Sequence, residues 1–236
     1  MTAVKLPVAV AGPGAKKAKP KCQYCGKDQH PFPVGNGNNV GSSAALSKNM
    51  YPQNSHTNHA WYSGGRSLQA HHLVCSEALD DDEWFDICGD FGYDINCKEN
   101  GVMLPNAMRL ACQVHAPLHR GPHSAGEAAF LSYPDKVTEL TQKIKDRAVN
   151  GDFCSNPHGL IQELNDTSKS ILKKVDGFTY TLTADGKDYQ AGRNGCAGVT
   201  SVTDKPSRKC PSQRRHGLKH GGTVIPPKSA ALKIGK

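Results

Sequence analysis

Apolar positions recur at helical spacing in three stretches. Val137, Leu140, Ile144 and Ala148 fall on one side of a helix that starts at Asp135, after Pro134 breaks the preceding pattern, and Asn150-Gly151 closes it. Leu160, Leu164, Ile171 and Val175 make the same stripe over about residues 159–175. Ser76 can cap a third helix through Ala78, Leu79, Trp84, Phe85 and Ile87. Within it Asp80 to Glu83 read as a wet surface, because four consecutive acids cannot share one helix face. Shorter helices are expected over residues 107–114 and 127–131. Strand patterns are brief: residues 68–74, then 101–104, then 178–182, which alternate strictly. Asp185-Gly186 signals a hairpin turn before residues 187–190. Residues 31–67, rich in Gly, Asn, Ser and His, read as a long loop in which His56 and His59 are solvated.

These elements predict an α+β protein in five parts: a flexible basic leader over 1–20, a Cys-x-x-Cys knuckle and loop over 21–67, a core over 68–150, a helix and β-hairpin lobe over 151–204, and a flexible basic tail over 205–236. At 236 residues the chain can bury one good core. It has no apolar run of transmembrane length, and residues 1–20 lack a secretory-signal pattern. The expected location is the cytoplasm of the producing cell, or beyond it by a specialised export route, with no membrane association.

Charge adds a partner. Residues 1–21 carry five Lys and no acid, and residues 205–236 carry nine Lys/Arg and no acid. Of the net +8, the ends therefore hold +14 and residues 22–204 hold −6. Basic ends suit a polyanion, since each cation near a phosphate adds sequence-independent affinity by counterion release.

Nine cysteines without a secretion signal point to metal ligation or free thiols rather than a disulfide framework. Cys22-Gln23-Tyr24-Cys25-Gly26 has the shape of a zinc knuckle, whose tight turn aims two thiolates at one ion. A redox Cys-x-x-Cys would follow a strand and open a helix, whereas Lys and Pro precede this one. Cys196 and Cys210 are the partners taken for a structural Zn2+, with His30, Cys154 and His216 also open.

The densest chemistry lies between residues 68 and 123. Ala70-His71-His72 ends the first strand, Asn100-Gly101-Val102-Met103-Leu104-Pro105 opens the second, and His119-Arg120-Gly121-Pro122-His123 precedes a helix-forming run. Cutting a phosphodiester requires an activated water, a cation on the phosphoryl and leaving oxygens, and groups that fix both. Histidine serves the first because its ordinary pKa leaves a neutral fraction at physiological pH. Neighbouring strand residues face opposite ways, so His71 and His72 should divide the work into metal ligand and base.

Ala70-His71-His72, Asp94-Ile95-Asn96 with Asn100 to Pro105, and His119, Gly121 and His123 resemble the histidine–asparagine–histidine (HNH, or ββα-metal) endonucleases. More narrowly they resemble the Ala-His-His branch of the HNH/endonuclease VII group, over about residues 66–131. The resemblance implies a small ββα-metal nuclease core with added helices, a DNA substrate, and one catalytic divalent cation such as Mg2+ or Zn2+. It also implies a bacterial toxin role, with a cognate immunity protein and a secretion-system carrier as partners. His72 then matches the general base and His71 a metal ligand. Asn100 matches the residue that orients the base or contacts the metal, and His123 the closing histidine, with His119 a second candidate. Rival readings are a non-enzymatic zinc-dependent nucleic-acid-binding module, the same fold acting on RNA, and an enzyme of the bacterium's own metabolism or restriction.

Overall fold

The structure, a computed structural model, describes residues 20–28, 37–62, 67–107, 110–111, 114, 116–121, 123, 131–183, 219–220, 223–224 and 231–236. The architecture is α+β, and a two-stranded antiparallel ribbon sits at its centre. Strand β1 (Leu68–His72) pairs with β2 (Gly101–Pro105), with Leu68 opposite Pro105, His71 opposite Val102 and His72 opposite Gly101. Alternation divides the ribbon. Ala70 and Met103 face one way, towards Leu46 and Met50; Val102 and Leu104 face the main core.

The ribbon's first cover comes from a stretch expected to be loop. Ser42 accepts a hydrogen bond from the Ala45 N–H and caps helix α1 (Ser43–Met50). Two apolar residues one turn apart, Leu46 and Met50, suffice to seat it on the ribbon. Gly101 lets it close in, because a Cβ there would sit 2.3 Å from the Met50 sulfur. A 3-10 turn (Pro52–Asn58) follows, and His59, expected to be solvated, is 6% exposed and packs against Trp61.

The predicted Ser76 helix splits in two. A 3-10 turn (Ser76–Leu79) precedes helix α2 (Asp82–Phe91), whose cap is Asp81, hydrogen-bonded by the Trp84 N–H. Two of the four acids are therefore not merely solvated: Asp81 and Glu83 both grip Lys145 at 2.8 and 2.7 Å. Helix α3 (Tyr133–Val149) starts two residues before the expected point. Pro134 lies in its first turn, where a missing N–H costs nothing, and Ser132 and Asp135 form a capping box. Helix α4 (Pro157–Asp176) buries Leu160, Leu164, Ser168, Ile171 and Val175. It shares one core with α2, α3 and β2 and does not form a separate lobe.

The strand expected at 178–182 is mostly turn. Phe178 has φ +57°, and only Leu182–Thr183 (β4) is extended. It pairs in parallel with β3 (His119–Arg120), which ties the end of the α4 segment to the histidine strand. The Asp185-Gly186 hairpin and the helix over 127–130 lie outside the described residues. A short antiparallel pair, β5 (Lys219–His220) with β6 (Thr223–Val224), occurs later. The tail's last six residues pack on β2, with the Gly235 N–H donating to the Gly101 carbonyl and the Met103 N–H to the Lys236 carbonyl. Buried Ala231 and Leu232 anchor them, which corrects the expectation of a flexible end there. No helix among the described residues is long and apolar enough to cross a membrane.

Candidate nuclease site

The end of β1 directs its two histidines to opposite sides. His71 points inward and is 3% exposed, and its Nε2 lies 3.0 Å from the Tyr133 hydroxyl. That hydroxyl donates to the Leu73 carbonyl, so α3 fixes the ring through the strand's own backbone. His119, from β3, and His123, just past the Gly121 turn, complete a cluster. Their Nε2 atoms are 3.0 Å apart, and the His71 ring centroid is 4.9 and 5.1 Å from theirs. One ring nitrogen from each of the three lies within 4.8 Å of the others. Gly121 has φ +73°, the left-handed conformation that turns the chain back between the two histidines.

Burial holds the His71 imidazole well below its usual pKa, and the neighbouring His119, His123 and His72 push it further the same way. His119 is depressed in the same manner, first by burial and then by His123 and His72. His123 is lowered by burial, with Glu77 opposing. Three neutral imidazoles converging on one point are a donor set ready for a divalent cation, since a ligating histidine must first lose its proton. The buried His119 Nδ1 has no hydrogen-bond partner among the described residues, as expected of a ring whose environment is completed by something else. The residues fit the implied metal.

His72 faces the other way and meets Asn96, whose Oδ1 is 3.0 Å from the His72 Nε2. The orientation of that amide is fixed three times over. Its Oδ1 accepts from the Ser42 N–H at 2.7 Å, and its Nδ2 donates to the Val40 carbonyl at 3.0 Å and to Asp94 Oδ1 at 3.2 Å. An oxygen therefore faces His72, so Nε2 carries the proton and Nδ1 keeps the lone pair. Burial lowers the His72 pKa, against the raising influence of the Asn96 bond and of Glu77 and Asp94. The result is a neutral imidazole of defined tautomer. His71, His72, Glu77, His119 and His123 all line one cleft, bounded also by Gly41, Ser43 and Gln69.

Asn100 lies elsewhere. It is fully buried; its Oδ1 accepts from the Val74 N–H and the Ser168 hydroxyl, and its Nδ2 donates to the Val74 and Ile95 carbonyls. All four positions of the amide are filled, leaving none for His72 or an ion. It clamps the chain leaving β1 to the chain entering β2. Asn96, Glu77 and Tyr133 carried little sequence signal. Asn96 stood only as part of Asp94-Ile95-Asn96, and nothing near Tyr133 pointed to a histidine 62 residues earlier.

Of the cysteines expected to bind zinc, Cys22 and Cys25 lie together, and Cys154 joins them. Cys196 and Cys210 lie outside the described residues, as do His30 and His216.

Comparison with known proteins gives one match. Residues 50–171, just over half of the chain, match the model of a family described as AHH, a nuclease family of the HNH/ENDO VII superfamily with conserved AHH. No curated protein and no solved structure matches.

Proposed function

Given that the chain belongs to the AHH nuclease family of the HNH/ENDO VII superfamily, we propose that it is a metal-dependent endonuclease hydrolysing DNA, acting as an antibacterial toxin that a cognate immunity protein restrains. The observation that carries the catalytic part is the placement of His72 beside, but outside, a cluster of three neutral imidazoles opening on the same cleft.

In this reading His71, His119 and His123 hold the cation, and an all-imidazole set favours a transition ion such as Zn2+ over Mg2+. When bound, the cation supplies positive charge to the scissile phosphate and the leaving oxygen. His72 takes the proton from the attacking water on Nδ1, while Asn96 holds Nε2–H and accommodates the imidazolium that forms. Tyr133 keeps the His71 ring from rotating, as an outer hydrogen bond to a metal-binding histidine does. Asn100 contributes by fixing the β1–β2 connection. The basic flanks support a nucleic-acid substrate, and the toxin role and the secretion-system carrier rest on the resemblance of the Ala-His-His motif.

The test is plasmid nicking by the full chain beside His72→Ala, with and without chelator, and with RNA offered in parallel. Loss of DNA nicking on chelation and in the mutant is expected. Cleavage of RNA alone, or undiminished nicking by folded His72→Ala, overturns the reading. Co-expression with any small open reading frame found beside the gene tests the immunity partner by relief of growth arrest.

A further inference from the structure

We propose that Cys22, Cys25 and Cys154 hold one structural Zn2+ that fastens the 20–28 turn to the junction between α3 and α4. The site is separate from the histidine cleft, which none of the three lines.

The first two ligands come from a turn built for the purpose. The Gly26 N–H donates to the Cys22 carbonyl at 2.9 Å, the Cys22 N–H donates to the Lys27 carbonyl at 2.8 Å, and Gly26 takes φ +67°. The turn brings the backbone N–H groups of Cys25 and Tyr24 onto the Cys22 sulfur. The third ligand comes from 132 residues away. The Cys154 N–H donates to the Gly151 carbonyl, and its sulfur lies 3.8 Å from that of Cys22.

Two observations point to an ion and not to a chance meeting of thiols. The three sulfurs all lie within 4.8 Å of one another. Two sulfurs at about 2.3 Å from one tetrahedral ion are about 3.8 Å apart, the separation seen between Cys22 and Cys154. Second, the backbone is shaped for the approach. Gly151 has φ +81°, and a Cβ there would lie 2.7 Å from Cys25 Cβ and 2.9 Å from its Cα, so no side chain fits. None of the three cysteines is in a disulfide. Tyr24 also packs its ring 5.2 Å from that of Phe91 and donates to Asp90, and Gln23 donates to the same carboxylate. On binding, each thiol gives its proton to solvent and no electron moves. The fourth position of the tetrahedron is left to water or a neighbouring side chain.

The test uses the full chain purified under reducing conditions. Elemental analysis of a His71→Ala/His119→Ala/His123→Ala variant isolates this site from the histidine cluster. One zinc per chain is expected there, and none after adding Cys154→Ser. Substitution with Co2+ should give a near-ultraviolet sulfur-to-cobalt band that Cys154→Ser loses. If Cys154→Ser does not fold, mercurial titration of the wild-type chain provides the second measurement, with zinc released as these thiols are modified. Unchanged zinc in the folded Cys154→Ser variant, zinc release that does not follow thiol modification, or a Cys22–Cys154 disulfide with no zinc would overturn the assignment.

Discussion

The histidine and cysteine clusters each gather three donors from separate parts of the chain, yet they are built for opposite ends. The histidines are neutral imidazoles lining a cleft, with a fourth histidine, His72, beside them on the same cleft. The cysteines sit at a backbone junction so close that a glycine must stand opposite one of them. A set of neutral ligands on a cleft leaves coordination sites for substrate, whereas thiolates that join two distant chain segments use the ion as a fastener. Removing an ion from the first should cost activity and little stability; removing it from the second should cost stability.

The largest effect should come from beside the open cluster. His72→Ala is expected to lower plasmid nicking by about 10²–10⁴-fold with unchanged thermal melting, the usual loss when a general base is removed. Imidazole should restore part of the rate to His72→Ala, and excess divalent ion should not. For His71→Ala the pattern should reverse. Metal rescue of His72→Ala with none for His71→Ala would mean the two roles are exchanged.

Graded chelation breaks or sharpens the contrast next. A weak chelator should abolish nicking first, and a strong one should then lower the melting temperature. Tying residue 22 to residue 154 closes a loop of about 130 residues, worth about 5 kcal/mol in chain entropy, or roughly 10 °C for a domain of this size. Activity and melting temperature lost together, at one chelator concentration, would mean the two clusters do not differ in this way.

Asn100 provides a contrast within the nuclease motif. Asn100→Ala should destabilise the fold by on the order of 3 kcal/mol, because it strips partners from the Val74 and Ile95 backbone and from Ser168. At temperatures where the variant is folded it should still nick DNA. Asn96→Ala should instead slow nicking by releasing the His72 ring. Urea denaturation beside single-turnover nicking separates the two, and an Asn100→Ala variant that is stable but inactive would return it to the chemistry.

The sequence carried the helices α3 and α4 because their apolar stripes are long and regular, and it carried the opposed faces of His71 and His72 because strand alternation is local. Helix α1 was missed because Leu46 and Met50 alone are too short a period to distinguish from loop. The partner of Cys22 and Cys25 was left open, Cys154 being one candidate of five and not one of the two chosen, for a different reason. Nothing near Cys154 marks it as facing a turn 132 residues earlier; the signal was Gly151, whose need for a left-handed backbone beside a neighbour shows only in three dimensions. Asn96 and Asn100 look alike in sequence and both fill all four amide positions; the difference is that one partner of Asn96 is His72, whereas Asn100 meets only backbone groups and Ser168.

The smallest predicted effect comes from a histidine that belongs to neither cluster, and it calibrates the acid response of the other two. His59 is buried against Trp61 and Tyr51, and its Nδ1 accepts the Trp61 N–H. Burial lowers its pKa to about 4, with the influence of the Ala231 backbone opposing. In the unfolded chain the ring regains its ordinary pKa near 6.5, so below that pH the unfolded state binds a proton that the folded state refuses. Stability from this residue is therefore fully present above about pH 6.5 and is lost as pH falls towards 4. The loss is about 2 kcal/mol at pH 5, as order-of-magnitude linkage from those two values. His59→Asn, which keeps an acceptor near the Trp61 N–H and cannot titrate, should flatten that part of the stability curve while leaving nicking intact. The acid sensitivity that remains in the chelated protein is then shared between the other buried histidines, depressed in the same direction, and carboxylates such as Asp81. If His59→Asn leaves the whole acid limb unchanged, His59 is not the source, and the limb must be assigned to the cluster or to the carboxylates.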